Sequence, residues 1–421
     1  MAGRRAWTAV LAVLAVLGAV PACSAGPGER TRLTVATFGE FGYEALFDEY
    51  ESLHPDIEIV GRVADFESHH RGLVTQLAGG GGAADIVAIE EQYVPRLRQS
   101  KDKLVDLGRF GAHELRGQWA PWKWDQGVTD GGRFVLGLGT DMGGLALCYR
   151  RDLFERAGLP TDRAQVAALM PTWEAYLDVA GRFAAAGTGA KFADSAGTVY
   201  AAILNQAPEN YFAADGDRFI ADTNPNVRRA FDIAGTLGER GQTARVTTFT
   251  QTWNAAIKQG SFATIACPAW QLKLIREAAG PADAGKWDVT TVPGGAGNQG
   301  GSFLSLPAQG EHQQQAYDLA RWLTAPEQQK KLFLSEGILS SQPAVYRDPD
   351  VLGKTDPYFS GAPTGQLFAS SADRLRPVYR GTADAEVRPE FGRALGRIED
   401  GKQTIAQAWE EAVRLAREAA G

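Results

Sequence analysis

The chain has 421 residues, 44% of them hydrophobic and 22% charged, with 49 glycines. That is ordinary globular composition, long enough for two domains or one large one. A formal charge of -7 leaves no basic footprint for nucleic acid.

Met1 to Arg5 is a short cationic segment, and Trp7 to Val20 is almost wholly apolar. The apolar stretch has the length of a signal-peptide core and is short for a membrane span. It ends in Val20-Pro21-Ala22-Cys23 and is followed by the polar Ser24 to Arg30. A small residue before a cysteine at the end of such a core resembles the bacterial lipoprotein signal, in which the cysteine is acylated and becomes the new N-terminus. A plain secretory signal cut near Ala22 is the alternative. Export places Cys148 and Cys267 in an oxidising space where they can pair. Each sits in a strand-like run, so two buried thiols are the expected state.

Leu33 to Phe38 reads as a strand. A helix follows with Tyr43, Leu46, Phe47, Tyr50 and Leu53 on one face, and Pro55 stops it. Ile57 to Val60 is a second strand. A helix around Arg71 to Ala78 ends in Gly79 to Gly82, and Ala84 to Ile89 is a third strand. Strands separated by helices make a parallel sheet the default. Leu138 to Gly144 is a loop and Leu145 to Tyr149 a strand. Thr172 caps a helix that begins at Trp173. Further on, a helix carries Ala316, Leu319, Ala320 and Leu323 on one face, and Thr324-x-x-Glu327 predicts a capping box for the next. Thr404-x-x-Gln407 predicts another box. The stripe Ile405, Ala408, Trp409, Ala412, Val413 and Ala416 behind it reads as core packing.

Gly295-x-Gly297-x-x-Gly300 fits the pattern of a dinucleotide-binding turn, but such a site needs a helix to start at the third glycine. Ser302 to Leu306 instead alternates with period two and runs into Pro307, which reads as a strand. The acid expected about 20 positions later falls in a helical stretch. The glycines therefore read as a crossing between two lobes.

Several segments in order resemble the extracellular solute-binding proteins of bacterial ABC importers, in the oligosaccharide-capturing, maltose-binding-type class. They are Ala84-Asp85-Ile86-Val87 after a glycine turn, "LALCYRRDLFERAGLP" at 145–160, "PTWEAY" at 171–176, "AAIKQGSFATIACPAW" at 255–270 and "AYDLARWLTAPEQQ" at 316–329. Arg150 replaces the usual Asn after the tyrosine, and Pro268-Ala269-Trp270 stands where Gly-Pro-Trp is common. The resemblance implies an α/β, two-lobe periplasmic-binding-protein-like fold with three hinge crossings, near 138–140, 292–295 and 340–343. It implies a signal peptide at 1–22, a lipid-anchored linker at 23–32, an N-terminal lobe of 33–139 plus 294–341, and a C-terminal lobe of 140–293 plus 342–421. It further implies a monomer outside the cytoplasm that captures a mono- or oligosaccharide and delivers it to ABC permease transmembrane subunits. The membrane would be reached through a lipid anchor on Cys23, with no cofactor and no metal.

Ligands of such sheets sit outside the carboxyl ends of the strands, which selects Glu40 and Phe41 after the first strand and Glu90 or Glu91 after the third. Asp141 lies at the first crossing, Trp270 follows the strand from Phe262, and Gly301 and Ser302 follow the hinge glycines. Sugars want carboxylate acceptors for their hydroxyls and an aromatic face for their C–H groups, which Glu40, Glu90, Asp141 and Trp270 supply. Each has a plainer reading: Trp270 in the core, Asp141 as a turn cap, Glu40 as a first-turn acid. Glu90 and Glu91 point apart, so one at most faces the cleft. Trp119, Trp122, Trp124 and Trp253 read as core or rim, with Trp253 the best extra platform. Neighbours on a helix diverge by about 100°, so His69 and His70 cannot share an ion and read as solvated surface. No catalytic motif occurs. A glycoside hydrolase pairing Glu40 with Glu90, or a carrier of a non-sugar solute, are the competing functions.

Overall fold

The computed structural model describes residues 30–421; the segment read as a signal peptide, and Cys23, lie outside them. Its strands, in chain order, are β1 (Thr31–Phe38), β2 (Ile57–Ala64), β3 (Ile86–Glu90), β4 (Val128–Thr129), β5 (Phe134–Val135), β6 (Leu138–Gly139), β7 (Leu145–Arg150), β8 (Lys191–Ala193), β9 (Phe262–Pro268), β10 (Trp287–Thr290) and β11 (Ser302–Ser305). They form a five-stranded sheet ordered β2-β1-β3-β11-β6, a four-stranded sheet ordered β10-β7-β9-β8, and the β4-β5 hairpin.

In the first sheet β1, β2 and β3 run parallel, as the alternation of strands and helices predicts. The sheet is mixed, because β11 returns from the far side of the molecule and pairs antiparallel with β3 and β6. Asp85 locks β3 to β1: its carboxylate accepts from the Thr34 amide at 2.8 Å and the Thr34 hydroxyl at 2.7 Å. Each sheet is covered on both faces, and the period-two geometry of a strand divides the residues. In β7, Leu145, Leu147 and Tyr149 enter one core and Ala146 and Cys148 the other. In β3, Ile86 and Ala88 face one way and Val87 and Ile89 the opposite way.

The chain passes between the sheets three times: from β6 to β7, from β10 to β11, and after the helix Pro326–Glu336 toward Pro343. The glycine stretch is the second of these, and β11 follows it as the strand the sequence predicts. The crossings lie side by side. The Thr140 amide donates to Ser302 O at 2.9 Å, Ser341 to Thr140 O at 3.1 Å, Met142 to Leu339 O at 2.9 Å and Gly143 to Gly300 O at 3.0 Å.

Four expectations need correction. Cys148 and Cys267 form a disulfide, with Cα atoms 5.9 Å apart. Both thiol positions fall on the same face of adjacent antiparallel strands, a registration that reading each strand alone could not supply. His69 and His70 are buried, because their helix begins at Phe66, capped by Asp65, and lays both rings against the first sheet. Thr324 caps nothing; its hydroxyl donates to Ala320 O at 2.8 Å, and the helix that follows starts at Pro326 without a side-chain cap. Leu138 and Gly139, read as part of a loop, form β6 and pair with β11; Trp253 is fully buried in the core, as the plainer of its two readings had it. The Thr172 cap, the Thr404 box and the buried stripe Ala408, Ala412 and Ala416 match the sequence reading.

The disulfide spans a sequence separation of 119, so it restricts the unfolded chain strongly. A Cys148→Ala/Cys267→Ala double variant is expected to lose about 2–5 kcal/mol in urea unfolding under non-reducing conditions. A loss below about 1 kcal/mol would mean that the bridge adds little to the packing around it.

Candidate ligand site between the two sheets

The site is built where β3 ends. Burial pushes the His70 ring down to about 3, so it is neutral. Its Nδ1 donates to Phe66 O at 2.7 Å while Nε2 accepts the Glu90 amide at 3.2 Å. Tyr93 stacks on the same ring at 4.0 Å between centroids. The buried histidine thus fixes the backbone from which Glu90 projects. Glu90 Oε2 accepts from the Gln92 amide at 2.8 Å. Its Oε1 points at Gly300: a Cβ built there would lie 3.5 Å from Glu90 Oε1 and 3.9 Å from Trp270 Nε1. Gly300, with φ of +87°, is therefore a bare stretch of backbone between an acid and an indole.

Trp270 is half-buried and starts the helix Gln271–Ala279, with its ring 5.7 Å from that of the exposed Phe249. The next glycine is equally constrained. A Cβ on Gly301, at φ +131°, would meet Asp141 O at 2.7 Å and Lys123 Nζ at 3.0 Å. Glu90, Trp270 and Gly301 are thus brought together.

Asp141 and Ser302 lie in the crossings beneath. Asp141 Oδ1 accepts from the Thr140 hydroxyl at 2.6 Å and the Ser302 amide at 3.0 Å, so that oxygen ties the first crossing to the second. Glu40 and Phe41 stand at the rim. The Glu40 side chain is 69% exposed and pairs with Lys273 at 3.1 Å. Lys273 belongs to the helix after Trp270 and also holds Glu336 at 2.9 Å. Phe41 packs edge-on against Phe38 at 5.2 Å.

Glu91, the alternative to Glu90 in the sequence reading, completes the floor with two residues that the sequence reading passed over, Lys123 and Arg380. Glu91 is buried; it accepts from Asn298 Nδ2 at 2.7 Å and from Arg380 at 3.3 Å. Arg380 in turn donates to Asn205 at 2.8 Å. Lys123 is fully buried, with its ammonium 4.1 Å over the Phe303 ring and no hydrogen-bond acceptor among the described residues. Burial lowers its pKa, opposed by Asp141, Glu91 and Glu90. Its place between Trp122 and Trp124 was the available signal, since a lysine inside an aromatic run is held by its stem against apolar neighbours. Arg380 carries no comparable local mark.

The family and its structures fit this geometry. Residues 45–359 match the family model described as bacterial extracellular solute-binding protein. The chain belongs to that family. The crystal structure of an extracellular solute-binding protein of family 1 is 41% identical, with a TM-score of 0.83 over 93% of this chain and 100% of that one. Two more distant structures share the fold. The ABC transporter associated binding protein of B. animalis subsp. lactis, in complex with β-1,6-galactobiose, is 19% identical, with a TM-score of 0.78 over 93% of this chain and 98% of that one. The galacto-N-biose/lacto-N-biose I-binding protein of Bifidobacterium longum, in complex with lacto-N-biose, is 18% identical, with a TM-score of 0.77 over 93% and 97%. No curated protein sequence matches significantly. The fold of this solute-binding protein is the two-lobe, periplasmic-binding-protein-like architecture that its sequence resembles.

Burial, with the Glu91 charge adding to it, pushes the Glu90 carboxyl up to about 8. The folded protein therefore holds a proton that the unfolded chain releases. This contribution to stability is fully present below the ordinary value of 4.5 and is lost as pH rises through about 8. Thermal unfolding followed from pH 5 to 9 should fall less steeply in Glu90→Gln than in the wild-type protein. Parallel curves would show that Glu90 is solvated and ionised in the folded state.

Proposed function

We propose that the chain is the substrate-binding component of an ABC sugar importer. It captures a mono- or oligosaccharide between its two lobes, closes about the three crossings and presents the loaded form to the permease transmembrane subunits. One observation carries this reading: the Glu90 carboxyl and the Trp270 indole flank the side-chain-free backbone of Gly300. An acid can take a sugar hydroxyl while the ring covers a C–H face. The sugars in the relatives' structures support the ligand class.

The lobes are divided as 33–139 plus 294–341 and 140–293 plus 342–421, the first carrying Glu40, Phe41 and Glu90 and the second Asp141 and Trp270. Binding without turnover is the expectation. Glu40 is held at the rim by Lys273 while Glu90 is buried at the end of β3, and the matching family is one of solute-binding proteins. A saccharide incubated with the protein should be recovered intact, and repeated release of cleaved product would favour the hydrolase.

Ligand binding to the native state alone raises the unfolding temperature by mass action, so a thermal-shift screen over mono- and oligosaccharides finds the sugar. With that sugar, Trp270→Ala should weaken binding about tenfold or more in calorimetry and leave unliganded unfolding nearly unchanged. Wild-type affinity in the variant would remove Trp270 from the site.

The protein is placed outside the cytoplasm as a monomer, held to the membrane by a lipid on Cys23. No described helix is long and apolar enough to cross a membrane. Multiple acylation gives firm anchorage where one chain gives only marginal binding. The wild-type protein should partition with membranes and Cys23→Ala should not. A free, unlipidated Cys23 or a mature N-terminus elsewhere would contradict the anchor.

A further inference from the structure

Arg380 and Glu91 meet across the floor of the site from opposite sides of the molecule. Glu91 begins the turn after β3, and its amide donates to Gly301 O at 3.0 Å, so it is fixed to the end of the first sheet. Arg380 is fixed to the other side. The Tyr379 amide donates to Pro208 O at 2.7 Å, and the Thr382 amide and hydroxyl donate to Asp217 Oδ2 at 3.0 and 2.6 Å. Pro208 and Asp217 follow the helix Ala196–Leu204, which packs in the core shared with β7 and β8. Arg380 Nη2 donates both to Glu91 Oε1 at 3.3 Å and to Asn205 Oδ1 at 2.8 Å. Asn298, in the second crossing, closes the ring: its Nδ2 donates to Glu91 Oε2 at 2.7 Å and its amide to Asn205 O at 3.1 Å.

Burial sets this pair apart from the ion pairs at the rim. Arg380 and Glu91 are 8% and 3% exposed, whereas the side chains of Arg96 and Glu386, which also join the two sides, are 45% and 39% exposed. Solvent screens the exposed pair. The buried one is held at short range in a poor dielectric, where its attraction is stronger and falls off with distance. Asp384, 3.8 Å from Arg380 Nη1, has its own partner in Arg388 at 2.9 Å, so its charge does not depend on Arg380. Rotation about the crossings carries Arg380, with Pro208 and Asp217, away from Glu91. The pair is therefore made when the lobes meet and is broken and hydrated when they part.

We propose that Arg380 is a positioning residue that latches onto Glu91, holding a share of the unliganded molecules closed and slowing release of a bound ligand. The latch rests on the closure about the crossings proposed above. Removing one partner would leave a buried charge alone, so the test uses Glu91→Gln/Arg380→Met, in which the glutamine keeps an oxygen for Asn298. Arg380→Lys serves as a milder variant, since it keeps the charge and loses the fork that reaches Glu91 and Asn205 together. Small-angle X-ray scattering without ligand should give a larger radius of gyration for the double variant than for the wild type, with Arg380→Lys shifted the same way by less. Stopped-flow measurements with the saccharide that best stabilises the wild type should show dissociation about tenfold faster in the double variant and association little changed. A static structural pair would lower the urea midpoint and move neither readout. Radii equal to the wild type in both variants, or an equal dissociation rate, overturn the latch and leave the carbohydrate reading standing. If no saccharide binds the wild type, the carbohydrate reading fails, and the unliganded radii still decide the latch.

Discussion

The three segments that join the lobes are hydrogen-bonded to one another through the backbone of Thr140 to Gly143, and the rest of the site hangs on that ladder. The Thr140 amide and carbonyl reach Ser302 and Ser341 on either side, and the Asp141 carboxylate adds a link to the Ser302 amide at 3.0 Å. Gly294 and Gly295, just outside these bonds, and Gly300 and Gly301, within them, hold positive φ, so the backbone is free of the steric cost a side chain would impose there. The same glycines leave room for Lys123 below and Glu90 and Trp270 above. In the proposed reading, one stretch of sequence serves both motion and recognition.

The second constraint is electrostatic. The interior between the lobes holds Glu90, Glu91, Asp384, Lys123 and Arg380, each less than a tenth exposed. Buried charges persist only where partners or altered protonation compensate them. Glu91 is compensated by Arg380 and Asn298, whereas Glu90 has one amide donor and keeps its proton more tightly than a free carboxyl. Ion pairs also link the lobes at the surface, Arg96 with Glu386 at 2.8 Å and Lys273 with Glu40 at 3.1 Å. Exposed pairs of this kind contribute little each.

The sequence made the first three strands and their helices, the crossing glycines, the Thr172 and Thr404 caps and the buried face of the last helix legible, because each is written in local spacing. It placed Glu90, Trp270 and Gly301 near one another through the rule that ligands gather at strand ends. What it missed depended on registration between distant segments. Cys148 and Cys267 share a sheet face only once β7 and β9 are aligned. His69 and His70 read as surface because their burial depends on contacts with the distant β3, where they meet Ala88 O and the Glu90 amide. Arg380 and Arg388 enter the site from a loop and helix nearly three hundred residues beyond Glu91, as the separation of 289 for the Arg380–Glu91 bond records. No periodicity connects such positions. Asp141 and Ser302, read as ligand contacts, lie in the crossings, where Asp141 Oδ1 accepts from the Ser302 amide.

The central claim is that a saccharide held between Glu90 and Trp270 draws the lobes together about the crossings, because the closed form binds it better than the open one. Small-angle X-ray scattering of the purified protein, with and without a saturating concentration of the saccharide that stabilises it, tests this most directly. The account predicts a smaller radius of gyration in the presence of the sugar. An identical radius under saturating ligand would contradict closure and place the bound sugar outside the interlobe cleft.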